Sequence, residues 1–105
     1  MNEINLSFLE LKTFTEQDAL DYCQINNINS DKVTRLDLKF NKLTDISVVK
    51  YLKNIEYLNI TYLELESDQI KYIKSLKKLN ILSCHKGFKD MNILNKLNKN
   101  IEIFK

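Results

Sequence analysis

The stretch Val33-Thr34-Arg35-Leu36-Asp37-Leu38-Lys39-Phe40-Asn41-Lys42-Leu43-Thr44-Asp45-Ile46 decides how this chain folds. Leu36 and Leu38 alternate with Arg35, Asp37 and Lys39. A strand here therefore turns two leucines to one face and polar side chains to the other. The pattern returns along the chain. Segments beginning at Val33, Ile55, Leu76 and Asn98 align so that Leu36, Leu58, Leu79 and Ile101 share a column. Leu38, Ile60, Ile81 and Ile103 share the column two residues on. The spacings are 22, 21 and 22 residues. Periods of this size mark architectures in which a short strand and a return path form one unit. No unit buries its apolar face alone, but side by side the units give a parallel sheet over one continuous core.

The returns carry their own signal. Leu43, Ile46, Val49 and Leu52 recur every three residues, which suits a helical or 3₁₀ path with one apolar stripe. Leu65, Ile70, Ile73 and Leu76 repeat this in the second copy, with Ser67 as a candidate N-cap. Phe88, Met91, Leu94 and Leu97 do so in the third. Upstream, Thr15-Glu16-Gln17-Asp18 reads as a capping box opening a helix whose apolar side is Ala19, Leu20 and Cys23, and Asn26-Asn27 suit its end. Before it, Leu6-x-x-Leu9-x-Leu11 fits the core pattern of a leading strand.

The first copy, Val33-x-x-Leu36-x-Leu38-x-x-Asn41-x-Leu43-x-Asp45-Ile46, resembles the leucine-rich repeat family. Its period and Asp45-Ile46 pair are similar to the short class of internalin-type and protein-phosphatase-regulator repeats, and the resemblance covers residues 33–105. It implies an α/β solenoid with a short parallel β-sheet on the concave face and helical or 3₁₀ returns on the convex face. The domain plan is a single unit over 1–105. Residues 1–32 form an N-terminal cap or degenerate first repeat with one helix, and 33–105 form about three and a half repeats. In the family the ninth position is an asparagine that bonds the turn backbone from inside. By the alignment above that position holds Asn41, then Leu63, then Cys84, and Lys86 stands where an apolar residue belongs. Irregular loops are expected in the second and third copies.

Composition narrows the function. A length of 105 residues suits one domain. At 44% hydrophobic, 29% charged and net +2, the chain is neither an acidic tail nor a basic arm. Fifteen of its sixteen basic residues are lysine. Proline is absent and Gly87 is the one glycine, which argues against a glycine-rich phosphate loop. The first twelve residues lack a basic start followed by an apolar run, and no stretch has the roughly 18 apolar residues of a spanning helix. With two thiols far apart, Cys23 and Cys84, a cytoplasmic protein with reduced cysteines and no membrane association is expected.

Catalytic and metal chemistry find no constellation. The one histidine, His85, adjoins Cys84, but neighbours on a strand or turn point apart, so the two do not form a nucleophile and base. One histidine and two distant cysteines offer no metal-ligand spacing. The chain is expected to be no enzyme and to need no cofactor or metal.

The informative set is the face of the sheet turned away from the core. The repeat alignment places there Arg35, Asp37, Lys39, Phe40, Tyr57, Asn59, Thr61, Tyr62, Lys78, Asn80, Leu82 and Phe104. Tyr57 would sit between Arg35 and Lys78 with cation–π contact on both sides. Tyrosine and arginine are the side chains that anchor protein interfaces, and in leucine-rich repeats the concave face is the usual contact surface. The expected function is a non-catalytic protein–protein interaction module. The alternative is a small intracellular inhibitor or antitoxin-like regulator, of viral or mobile-element origin, that blocks one enzyme. Two lesser surfaces remain. Residues 53–105 carry net +4 against −2 for 1–52, with Lys71, Lys74, Lys77 and Lys78 clustered. This patch could steer an acidic partner, but a single arginine and no interleaved aromatics argue against nucleic acid. The strand Ile101-Glu102-Ile103-Phe104-Lys105 could pair with a second copy through its open edge.

Overall fold

The computed structural model describes residues 2–105. It is an α/β fold built on five short parallel strands: β1 (Glu3–Asn5), β2 (Arg35–Asp37), β3 (Tyr57–Asn59), β4 (Ile81–Ser83) and β5 (Glu102–Phe104). They lie in one sheet in chain order. Ile4, Leu36, Leu58, Leu82 and Ile103 are partners across the sheet. Ile4, Leu36, Leu58 and Leu82 are wholly buried, as are Leu38, Ile60 and Cys84 in the second inward column. Apolar residues of the strands and returns join in a single cluster running from Ile4 to Leu97.

This register corrects the alignment read from sequence. Leu58 pairs with Leu82, not with Leu79, and the partner of Leu82 is Ile103, not Ile101. The intervals between inward residues are therefore 22, 24 and 21. Two facts explain the slip. Leu79-Asn80-Ile81-Leu82-Ser83-Cys84 supports alternation in either parity, because Ile81 and Leu82 are both apolar. The preceding return also takes more chain: a 3₁₀ turn, Ser67–Gln69, runs into a true helix, α2 (Ile70–Lys74). A slip of three residues exchanges the two faces, so Leu82, expected to face outward, is a core residue. Lys78 and Asn80, also expected on that face, lie in the exposed turn ahead of β4. Cys84 occupies the column of Leu38 and Ile60, and Gly87 takes the ninth position assigned to it. The slip of two in the last strand keeps parity, so Phe104 faces outward as expected.

The returns follow the sequence more closely. Leu43, Ile46, Val49 and Leu52 are all buried around the 3₁₀ segment Ser47–Tyr51. Leu65, Ile70, Ile73 and Leu76 are buried in the second return. In the third, Phe88, Leu94 and Leu97 are buried and Met91 is half-buried beside the 3₁₀ segment Met91–Lys96. Ser67 begins its turn and caps nothing; Glu66 precedes it. Gln69 supplies a staple instead, since its buried Oε1 accepts the Ile46 N–H at 2.9 Å from the neighbouring return.

At the N-terminal end the capping box is present. Thr15 Oγ1 accepts from Asp18 N–H at 3.2 Å, and Asp18 Oδ2 accepts from Thr15 N–H at 2.9 Å. It opens α1 (Glu16–Ile25), which buries Ala19 and Cys23 and ends at Asn26. Leu20, expected on the apolar side, is exposed. The leading strand is not the one read from Leu6, Leu9 and Leu11. It is β1, with Ile4 inward, and Leu9 is exposed. Its lone isoleucine is flanked by polar residues, so the richer leucine spacing just downstream, which belongs to a turn, masked it.

Each turn that leaves the sheet is built on a left-handed residue. Phe8, Phe40, Tyr62 and Lys86 have φ of 61°, 59°, 62° and 50°. The ladder continues through these turns: Phe8 N–H donates to Lys39 O, Phe40 N–H to Thr61 O and Tyr62 N–H to His85 O. Gly87 is required for space. A Cβ there would lie 3.0 Å from Cys84 O and 3.1 Å from the Ile60 side chain.

The register has a direct test. Leu82→Ala should destabilise by about 2–5 kcal/mol, the range for a buried leucine, whereas Asn80→Ala should stay within about 0.5 kcal/mol of wild type. Urea unfolding distinguishes this register from the three-residue alternative, in which Leu82 and Asn80 both face outward and neither substitution costs more than about 0.5 kcal/mol.

Candidate functional site

Three rows of side chains cross the outward face of the sheet. The first is Glu3, Arg35, Tyr57, Ile81 and Glu102. Arg35 lies with its guanidinium carbon 4.0 Å from the centre of the Tyr57 ring and 3.9 Å, from Nε, to a Glu3 carboxylate oxygen. The cation–π contact expected for Tyr57 thus exists on the Arg35 side. Ile81 occupies the other side, where Lys78 was expected. The Tyr57 hydroxyl accepts from Asn59 Nδ2 at 3.3 Å and lies 3.5 Å from Ser83 Oγ, which holds the ring in place.

The second row is Asn5, Asp37, Asn59, Ser83 and Phe104. Its first three members repeat one device. Each side-chain oxygen accepts the backbone N–H two residues on, at Ser7, Lys39 and Thr61, at distances of 3.1, 3.1 and 3.0 Å. This closes the turn after each strand. Asp37 and Asn59 are each only 6% exposed, and Asp37 also holds Lys39 Nζ at 3.1 Å. These two expected contact residues therefore serve the turns. Phe104, 52% exposed, presents a free ring.

Beyond the strands lies a feature only half visible in the sequence. Phe8, Phe40 and Tyr62 occupy equivalent left-handed positions and stack as a ladder. Phe8 and Phe40 have ring centroids 4.6 Å apart at an interplanar angle of 11°; Phe40 and Tyr62 are 4.9 Å apart at 27°. His85 closes the ladder edge-on to Tyr62 at 5.3 Å, and Lys86 Nζ lies 5.5 Å from the Tyr62 centroid. The spacing of the rings is that of the strands beneath them. All three rings are exposed, Phe8 most at 63%. A bulky residue in the left-handed region costs about 1–3 kcal/mol, and asparagine or glycine would avoid most of that cost. Three aromatics at three such positions concentrate strain and exposed apolar surface in one strip.

The structure brings together Arg35, Lys39, Phe40, Tyr57, Thr61, Tyr62 and Phe104 on this face, with Asp37 and Asn59 beneath them. It places Lys78, Asn80 and Leu82 elsewhere. The sequence reading missed Phe8, His85 and Lys86. Aligning Ile4 with Leu36 would have exposed the first, since Phe8 and Phe40 are each four residues beyond those positions.

Part of the charge on the face is locally paired, Glu3 with Arg35 and Asp37 with Lys39, while Glu102 and Lys86 form no ion pair among the described residues. Among the described residues, no three or more His, Cys, Asp or Glu side chains converge as a metal site, and no helix is long and apolar enough to cross a membrane. Cys84 points into the core while His85 faces solvent. Burial pushes the Cys84 thiol up to about 11, with Lys105 opposing weakly, and burial also raises Cys23.

No protein-family model matches the sequence, and no curated protein matches it.

Both thiols are free and buried. Native Cys84 should alkylate at pH 8 on the order of 100-fold more slowly than in denaturant, because reaction requires both opening and ionisation. Rapid labelling of Cys84 in the folded protein would contradict its placement. A raised thiol also sets a sign. Above the ordinary value of 9.0 the unfolded chain gives up its proton first, so this group removes stability as pH climbs from 9.0 towards about 11.

Proposed function

We propose that this chain is a non-catalytic protein-interaction module of the leucine-rich repeat type. In this reading it is one domain over 1–105, with β1 and α1 as the leading unit, and it binds a protein partner through the outward face of the sheet. The observation that carries the reading is the exposed ladder of Phe8, Phe40 and Tyr62 at left-handed backbone positions. Strain that a smaller residue would relieve is retained where a function uses the side chain. Rings with few rotatable bonds lose little entropy on contact, which makes them effective anchors. Tyr57, braced by Arg35, and Phe104 extend the apolar contact over the strands. Because Arg35 and Lys39 on this face are already paired with Glu3 and Asp37, the face selects a partner by shape and ring contacts more than by long-range attraction.

The test separates binding from folding. Phe40→Asn and Tyr62→Asn keep residues that tolerate positive φ. Lost stacking of about 0.5–1.5 kcal/mol is offset by relieved strain, so each variant should melt close to wild type. In quantitative affinity capture from source cells, proteins retained stoichiometrically by wild type should be lost in both variants, a change of more than about 1 kcal/mol for an anchor residue. Partners retained equally by wild type and both variants would place binding elsewhere.

A further inference from the structure

A second surface lies off the sheet face, where the returns meet the starts of β4 and β5. Two open grooves adjoin there and share Leu76. The larger, about 340 Å³, has an aliphatic floor of Leu76, Leu79, Leu97 and Ile101. Its rim carries Lys74, Lys77, Asn80, Asn98 and Asn100. The smaller, about 200 Å³, is lined by Val49, Lys50, Lys53, Ser75 and Leu76. Four lysines thus edge this trough of two adjoining grooves, whose floor is aliphatic and whose rim is polar, and no carboxylate lines either groove. None of the four forms an ion pair among the described residues; the pairs there involve Arg35, Lys39, Lys42 and Lys89. The side chains of Asn80 and Asn100 make no hydrogen bond within the described residues, leaving donors and acceptors that suit a peptide backbone.

We propose that this trough binds an acidic, aliphatic-bearing segment of a protein, with carboxylates on the lysine rim and an apolar side chain on the Leu76–Leu79 floor. Charge complementarity chooses the sign of the occupant. The floor favours its class: an aliphatic floor receives an aliphatic side chain, whereas bases stack on aromatic rings, and neither groove holds an aromatic residue or an arginine. The site is independent of the aromatic ladder, so either can fail without the other.

The probe is a fluorescein-labelled peptide of Glu-Glu-Leu repeats, titrated with the full chain. It should bind, weaken as salt rises, and shift the amide resonances of Asn80, Asn98 and Asn100 in wild-type protein. Reversing Lys74 and Lys77 together to glutamate should weaken binding at least about tenfold, the loss expected when attraction becomes repulsion at two rim charges. Thermal melting checks that this variant folds, and the resonance shifts do not depend on it. Tyr62→Asn should bind the peptide like wild type. Three results overturn the proposal. One is equal binding of a Gln-Gln-Leu peptide. Another is tighter binding of oligothymidylate or phosphatidylserine vesicles, lost in the same double variant. The third is resonance shifts confined to the ladder residues.

Discussion

One carboxamide sets the geometry of the first two turns. Asn41 Oδ1 accepts the N–H groups of Leu9 at 3.2 Å and Leu11 at 2.9 Å, while its Nδ2 donates to Leu6 O at 2.8 Å and Leu38 O at 3.0 Å. The amide thus uses both donors and both acceptor sites, and it does so while 6% exposed. Two turns 30 or more residues apart in sequence are locked together. Leaving such buried groups unpaired costs about 1–3 kcal/mol each. With the turns locked, Phe8 lies over Phe40 and β1 keeps its register against β2. The other turns lack this amide. Gly87 and Leu63 close theirs by donating N–H to Cys84 O and Ile60 O. Where leucine fills the ninth position, at Leu9 and Leu63, the next residue turns left-handed as well: Glu10 at 54° and Glu64 at 52°. Lys42, after Asn41, has no such strain. The turn that supplies the side-chain amide is spared a second left-handed residue, whereas the turns at Leu9 and Leu63 each carry one.

That comparison gives the aromatic ladder its meaning. The left-handed residue in each turn is a geometric need of the path, and Asx bonds from Asn5, Asp37 and Asn59 prepare it. Glycine or asparagine would satisfy the need at least cost. Phenylalanine, phenylalanine and tyrosine do so at a cost that mutual stacking only partly offsets. The strain and the exposed rings share one strip, and the proposed binding function rests on their coincidence. The lysine trough has a different physical basis, unpaired charge over an aliphatic floor, and sits on another part of the molecule.

How far the sequence carried the fold is clearest at β3 and β4. Around Leu58 a single parity of alternation is apolar, and the strand, its face and Tyr57 were all legible. Around Leu82 both parities are apolar, and the choice rested on loop length, which sequence does not state when a 3₁₀ turn runs into a helix. Three placements on the outward face, Lys78, Asn80 and Leu82, were missed for that one reason. Phe40 and Tyr62 were legible because they follow well-read strands. Phe8 was not, because its strand presents a lone isoleucine and a more leucine-rich turn follows. The ladder itself, rings aligned by left-handed turns, is a property of backbone geometry that no local pattern announces.

Amide hydrogen exchange tests the central constraint most directly. In wild type the Leu9 and Leu11 N–H groups should be protected despite lying in an exposed turn, because Asn41 Oδ1 holds both. In Asn41→Ala they should exchange at least about tenfold faster, together with Phe8, while Leu58 and Leu82 keep protection that reflects the shared core. Unprotected Leu9 and Leu11 amides in wild type, or unchanged protection in the variant, would contradict the account.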